Sequence, residues 1–236
     1  DVMGVGLLST AVSGLQAFQR SISVAGHNIS NANTEGYTRQ RVELGTRPPS
    51  FSGQGYIGNG VQIQSVERLF DQFVVDRLRD TSSSTAQYET LFQFSERVTN
   101  ILGDAEAGLS AGLESFFDAV QTVADDPASI PGRQLLLAES GSLVSRFHTL
   151  DSQLQSIGTE IDGNVVRIVN EVNGLSAAIA DANRSVAEAT NQGSGEPPND
   201  LLDKRDQMVN RLSELVSVRT VEQDDGALNV FIGSGQ

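Results

Sequence analysis

His27 and His148 are the only imidazoles in this chain of 236 residues, and neither has neighbours in sequence that would complete a site. His148 and Asp151 have the spacing of an acid–base or metal pair on a helix. One imidazole and one carboxylate three residues apart nevertheless read first as a solvated helical face. The paired carboxylates Asp125 with Asp126 and Asp224 with Asp225 fall at chain reversals, where aspartate is favoured for capping and turn hydrogen bonds. The stretch GQGYIG, Gly53 to Gly58, has the glycine spacing of a dinucleotide-binding loop. It follows Pro48, Pro49 and Ser50 rather than a buried strand and leads into strand-like alternation rather than a helix, so a glycine-rich loop of a small β element is expected. The absence of cysteine removes thiol nucleophiles, disulfides and thiolate metal sites. No serine has a base near it in sequence. The chain therefore reads as non-enzymatic, with no catalytic, cofactor-binding or metal site expected.

Charge is distributed unevenly. Sixteen basic against thirty acidic residues leave a net −14, and Lys204 is the single lysine. So acidic a chain repels phosphate backbones and carries no basic stripe, which argues against nucleic acid as a partner. No apolar run approaches the roughly 18 residues needed to span a bilayer, so no membrane insertion is expected. No cation precedes Arg20, so the basic flank of a cleaved signal peptide is not expected either. The first eighty residues hold seven basic and seven acidic side chains; the whole negative excess lies after them. Between Val2 and Thr34 the only charged side chain is Arg20.

That near-uncharged stretch has a strong period. Leu8, Leu15, Ile22 and Ile29 recur every seven residues, with Ala11, Phe18 and Ala25 between them, which is the alternating spacing of a coiled-coil seam. A surface helix usually puts Lys and Glu on its outer face. Here the opposite side offers Ser9, Thr10, Ser13, Gln16, Gln19, Ser23, Gly26, Asn28 and Ser30, a surface suited to protein neighbours. Gly14 and Gly26 each cost on the order of 1 kcal/mol relative to alanine in a helix. The segment is expected to order by packing among other helices in an oligomer. A membrane-surface role is disfavoured by the lack of Lys and Arg on its polar side.

After Ile29, the run SNANTEGYTRQ stops the helix: Asn31 and Asn33 tolerate left-handed backbone and Gly36 supplies positive φ. Alternation at Thr38, Gln40, Val42 and Leu44, then at Val61, Ile63 and Val66, predicts strands. A long helix is predicted from about Leu69 to Leu102, with Phe70, Phe73, Val74, Leu78, Tyr88, Leu91, Phe94, Val98 and Leu102 at helical spacing and a weak, exposed Ser/Thr middle at 81–85. A shorter helix follows, with Ser110 as N-cap and Leu113, Phe116, Phe117, Val120 and Val123 inward. The strongest period runs from Leu143 through Phe147, Leu150, Leu154, Ile157, Ile161, Val165, Ile168, Val172, Leu175, Ile179 and Ala182 to Val186, with a stutter near 157–165. An unbroken helix over 132–191 would be ~90 Å long; a break near Gly158 or Gly163 would instead give an antiparallel bundle. Residues 192–199 read as a loop, and 200–216 as a helix with Leu201, Arg205, Met208, Leu212 and Leu215 along one side. Residues 218–223 and 227–232 read as a hairpin turning at Asp224, Asp225 and Gly226, marginal alone and suggestive of a continuing β domain. The fold class is mainly α. The organisation is an assembly helix at 1–36, an extended hairpin-like segment at 37–67, an elongated helical bundle at 68–216 and the start of a β-rich domain at 217–236.

The stretch from Leu7 to Gln40 resembles the N-terminal signature of bacterial flagellar rod, hook and hook-associated axial proteins, with Leu15, Asn28, Ile29, Asn31, Asn33, Thr34, Gly36 and Tyr37 in the signature positions. The segment GNGV at 58–61 and NDLLDKRDQMVNRLSELV at 199–216 look like the hook-associated, junction-forming members. The long helical body points the same way. The resemblance implies a structural subunit exported unfolded by the flagellar type III apparatus without a cleaved leader. It would form a ring of copies of itself on the extracellular flagellum, between the hook protein and the next junction protein or filament. It also implies pairing of the N-terminal helix with a C-terminal helix of the same subunit. No such helix exists here, so the partner belongs to a missing part of the polypeptide or to another chain. The assembly interface expected is Leu8, Ala11, Leu15, Phe18, Ile22, Ala25 and Ile29; the signature turn is Asn28, Asn31, Asn33, Gly36 and Tyr37. The rival readings are another rod or hook axial protein, or a soluble helical rod that binds a partner protein.

Overall fold

The computed structural model describes residues 2–51, 53, 55–103, 108–192, 197–223 and 225–233. Among these the elements are α1 (Val2–Ser30), β1 (Gln40–Thr46), β2 (Ser50–Phe51), β3 (Tyr56–Ile57), β4 (Val61–Arg68), α2 (Gln72–Gly103), α3 (Leu109–Asp125), α4 (Ile130–Gln192), α5 (Asn199–Leu215), β5 (Val218–Glu222) and β6 (Leu228–Ile232). The fold is mainly α, with three antiparallel strand pairs, β1 with β4, β2 with β3 and β5 with β6. Two compact units result. One joins Asp1–Ser83 to Val172–Gln236, and the other is Ser84–Glu171, so α2 and α4 each give a part to both.

In the first unit, Val42, Leu44, Val61, Ile63 and Val66 supply the β-branched and apolar alternation that β1 and β4 share. The pairing slips by one residue between Glu43 and Leu44, the signature of a bulge. The glycine-rich loop is indeed part of a small β element: β2 and β3 flank Gly53 and Gly55, both at positive φ, while Gln54 lies outside the described residues.

The apolar core of this unit lies elsewhere. Ile179 of α4, Val209 and Leu212 of α5, Val218 of β5 and Leu228 of β6 are buried together, with Val172, Leu175, Met208, Val216 and Val230 packed around them. The long period read along α4 thus puts Val172, Leu175 and Ile179 where they pack. On α5 the sheltered face differs from the expected line. It holds Asp203, Arg205, Asp206, Val209, Leu212 and Ser213, because this helix is enclosed on two sides, by the core and by ionic partners. The β5–β6 turn closes with Gln223 N–H donating to the Ala227 carbonyl at 2.8 Å and Gly226 at φ 81°; Asp224 lies outside the described residues.

In the second unit α4 continues unbroken through Gly158 and Gly163. Ile157 and Ala119 are buried, and Phe94, Val98, Ile101, Leu113, Phe116, Val123, Leu143 and Leu150 are partly buried. Three expectations need correction. Phe117 points outward, 61% exposed, and Val120 is also exposed, because Gly112 and Ala119 bring the chain close on the inner side of α3. The N-cap of α3 is Gly108, with no side-chain cap bond, rather than Ser110, which lies inside the helix. The Ser/Thr middle of α2 is not wholly exposed: Ser82 and Ser83 are half-buried, whereas Phe73, Val74, Leu78, Tyr88, Leu91 and Leu102 face out.

Leu212 is 1% exposed, and truncating a buried leucine to alanine costs about 2–5 kcal/mol. Leu212→Ala is expected to lower the unfolding free energy of its unit by that amount in urea titrations, with Phe117→Ala within about 0.5 kcal/mol of the parent.

Candidate assembly surface

The C-terminal end of α1 is tied down by its own amides. Asn31 Nδ2 donates to the His27 carbonyl at 3.0 Å, Thr34 Oγ1 donates to Asn31 Oδ1 at 3.2 Å, and Tyr37 N–H closes on the Thr34 carbonyl at 3.2 Å. Of the described residues only glycines take positive φ, Gly36 among them at 74°. Asn31 and Asn33 therefore do not serve as left-handed positions: Asn31 acts through its side chain, and Asn33 is exposed in the turn. A β-carbon at Gly36 would also displace the Gln207 side chain. Asn28 does the most. Its Oδ1 accepts from Gln40 N–H at 2.9 Å and from the Tyr37 hydroxyl at 2.7 Å, while its Nδ2 donates to the Gln40 carbonyl at 2.9 Å. One side chain thus pairs with both backbone groups of Gln40, as a neighbouring strand would.

The same helix has two unlike faces. Ser13, Ala17 and Val24 are buried, and Thr10, Ser21 and Asn28 partly so, all along one line facing β1 and β4. Ser13 Oγ donates to the Thr10 carbonyl at 2.8 Å and accepts from Val61 N–H at 3.2 Å. Gly60, at φ 91°, allows this approach: a β-carbon there would meet Ser13 Oγ and lie 3.2 Å from Thr10 Cα. Part of the uncharged face expected to meet other molecules is therefore covered by the chain's own hairpin. The heptad residues lie on the far side. Leu8, Ala11, Leu15, Phe18, Ile22, Ala25 and Ile29 are all exposed, Ile22 by 71% and Phe18 by 67%.

Sequence reading missed the platform under the turn. Arg68 Nη1 donates to Asp203 Oδ1 at 2.8 Å and to Asp206 Oδ2 at 2.7 Å, and all three side chains are nearly buried. Asp203 Oδ2 accepts from Thr38 N–H at 3.1 Å, Asn199 Nδ2 donates to the Val66 carbonyl at 2.7 Å, and Gln207 Nε2 donates to the Glu35 carbonyl. Arg79, from α2, reaches Asp206 Oδ1 at 3.5 Å and Asn210 Oδ1 at 2.8 Å. Arg205 donates to Asn183 Oδ1 at 3.2 Å and to the Gly226 carbonyl at 2.6 Å. Burial pulls Arg79 and Arg205 below the ordinary arginine range; nearby carboxylates, Asp206 foremost, oppose that. The detectable signal was local: Asp203, Arg205 and Asp206 crowd one turn of a helix whose buried line also carries Val209 and Leu212.

This arrangement holds and orients backbone; nothing in it is set to break or make bonds. His27 hydrogen-bonds Asn31 and meets the Tyr37 ring edge-on at 5.4 Å. It bonds neither Ser23 nor Asp200, which share with it the wall of a cavity of about 480 Å³. Asp151 is bonded by Gln155 at 2.7 Å, not by His148. A second cavity, of about 670 Å³, is lined by Asn100, Ser142, Arg146, Thr149 and Gln153 among others, and among the described residues neither carboxylate nor imidazole reaches its wall. Among the described residues no three His, Cys, Asp or Glu side chains cluster to hold a metal ion, and no helix is long and apolar enough to cross a membrane.

Removing the Asn28 amide strands the Tyr37 hydroxyl and both backbone groups of Gln40. Asn28→Ala is expected to cost about 1–3 kcal/mol in chemical denaturation, with faster amide exchange at Gln40. Tyr37 is pushed above its ordinary value of 10.0 by burial first, then by the charges of Asp203 and Asp200. An unfolded tyrosine ionises sooner, so this contribution is intact below the ordinary tyrosine value and is lost as pH rises from there through the raised folded-state value. The melting temperature of the parent should therefore fall more steeply than that of Tyr37→Phe as pH rises above about 10.

The chain is similar to known proteins along nearly its whole length. The family model described as "Flagellar hook-associated protein FlgK helical domain" matches residues 95–236, and that of the flagella basal body rod protein matches 8–38, α1 and the turn. Curated relatives named flagellar hook-associated protein 1 include those of Salmonella typhimurium, 34% identical over 97% of this chain and 41% of theirs, and Bacillus subtilis, 28% identical over 93% and 44%. The chain thus spans about two fifths of the length of those relatives. The solved flagellar hook junction protein FlgK from Burkholderia pseudomallei is similar in fold, with a TM-score of 0.62 at 26% identity over 68% of this chain and 28% of that one. The chain belongs to the family of the flagellar hook-associated protein FlgK.

Proposed function

We propose that this polypeptide is part of a structural subunit at the junction of hook and filament, and that Leu8, Ala11, Leu15, Phe18, Ile22, Ala25 and Ile29 are its inter-helix assembly surface. The observation that carries this reading is the side on which α1 is docked. The helix seats itself on its own hairpin through Ser13, Ala17, Val24 and Asn28, leaving the whole seam free. A fully buried Leu, Ile or Phe is stabilising by about 1.5–3 kcal/mol relative to an exposed one. The five large residues of the seam together therefore hold on the order of 10 kcal/mol of burial that the single chain does not use. A heptad seam realises it by receiving another helix.

The partners that fit are copies of the same subunit in a ring, the hook protein on one side and the next junction protein or filament on the other. Reaching the extracellular flagellum would require the flagellar type III export apparatus. The names of the relatives, all hook-associated proteins, support this choice over a soluble helical rod that captures a partner. Because α1 has a seat in its own chain, resistance of the N-terminal helix to protease does not separate the two readings; burial of the seam on assembly does.

Leu15 and Ile22 are exposed by 59% and 71%, so charges placed there leave the subunit's own packing intact. Full-length protein carrying Leu15→Asp and Ile22→Asp is expected to keep its circular dichroism and melting temperature but to stop co-sedimenting with isolated hooks. Unimpaired incorporation would remove the seam from the assembly surface.

A further inference from the structure

We infer that the segment carrying α1 and β1–β4 is mounted on α5 by an ionic clasp, Arg68 with Asp203 and Asp206, and that this clasp opens without disrupting the apolar core on the other side of α5. Its consequence for presenting the seam rests on the assembly role proposed above; the clasp itself does not.

The two sides of α5 are chemically different. One side enters the core with Ile179, Val209, Leu212, Val218 and Leu228, and no residue of α1 or β1–β4 belongs to that cluster. The other side meets the N-terminal segment through polar groups. Arg68 bridges both carboxylates, Thr38 N–H is held by Asp203, the Val66 carbonyl by Asn199 and the Glu35 carbonyl by Gln207. Apolar burial is non-directional. Short, directed charge-assisted bonds hold one seating only. A buried ion pair yields little net stability against solvent, yet removing one member is costly because the other charge is left buried. Such a junction fixes direction without contributing much to the cohesion of the whole.

The distribution of partners also favours opening as a unit. When Arg68 withdraws, Asp206 keeps Arg79, which is itself held by Asn210 and Thr220. Asp203, at the end of α5 nearest the turn, then faces water. The withdrawing hairpin keeps its own pairing of β1 with β4, and α1 keeps Asn28 on Gln40. Neither half depends on the other for its internal bonds. Arg68, Asp203 and Asp206 are thus positioning residues: they set how α1 is carried relative to α5.

Hydrogen exchange by mass spectrometry on the full-length protein tests this directly. In Arg68→Met, peptides covering Thr38, β1 and β4 are expected to exchange at least tenfold faster, with those covering Val209 to Ser213, β5 and β6 unchanged. Arg68→Lys, which keeps a cation for both carboxylates, should restore most of the protection. Asp203→Asn retains an acceptor for Thr38 and removes one charge, so it should show the same local pattern with a smaller, several-fold gain. Equal acceleration in the core peptides of Asp203→Asn would mean a single cooperative body and overturn the inference, as would unchanged exchange in both Arg68→Met and Asp203→Asn. The seam reading is judged separately by co-sedimentation with hooks, so either idea can fail while the other stands.

Discussion

A 29-residue helix that carries a seam of Leu, Ile and Phe leaves costly apolar surface in water unless that seam is covered, and the arrangement of α1 follows from how the chain meets that constraint. Its own polypeptide covers only the side with short residues. Ser13, Ala17 and Val24 allow β1 and β4 to approach closely, and Gly60 omits a side chain where the two backbones come nearest. Long apolar residues on that face would have held the hairpin away. The division of labour is therefore steric: small residues make the contact within the chain, and large ones are left for a contact outside it.

A docked but half-covered helix needs a firm footing, and the footing is polar. Asn28 substitutes for a strand beside Gln40, much as Asn183 of α4 does by accepting from Leu228 N–H and donating to the Leu228 carbonyl. Below the turn, α5 offers two carboxylates to one arginine, while its opposite side belongs to the core. Stability and orientation are thus assigned to different flanks of one helix. Apolar burial supplies the first; hydrogen bonds with fixed direction supply the second.

Periodicity was enough to read much of this. The repeat along α4 finds Ile157, Ile179 and Val186 buried, and the alternation around Val42 and Val61 finds the paired strands. Periodicity says which residues share a face but not what that face meets. On α4, Ile157, Ile179 and Val186 of the apolar line are inward while Phe147, Leu154, Ile161 and Val165 of the same line are exposed, and Phe73, Leu78, Tyr88 and Leu91 of α2 and the heptad of α1 are outward. The signature turn was legible as a turn, but the role of Asn28 was not, since its partner Gln40 must first be brought back by Gly36. The clasp was hidden more deeply: Arg68 and Asp203 are 135 residues apart. Only their occupying the buried line of α5 could have flagged Asp203 and Asp206, and aspartate there reads by default as a solvated charge.

These 236 residues hold no cysteine, so once any cysteine elsewhere in the full-length protein is replaced, a single introduced thiol measures the central claim directly. Single Phe18→Cys and Ala17→Cys variants of the full-length protein, labelled with a maleimide before and after incorporation onto hooks, report the two faces of α1 separately. The account predicts fast labelling of Phe18→Cys and slow labelling of Ala17→Cys in the free protein, and strong protection of Phe18→Cys once assembled. A Phe18→Cys thiol that reacts as quickly in assembled material as in the free subunit would contradict it.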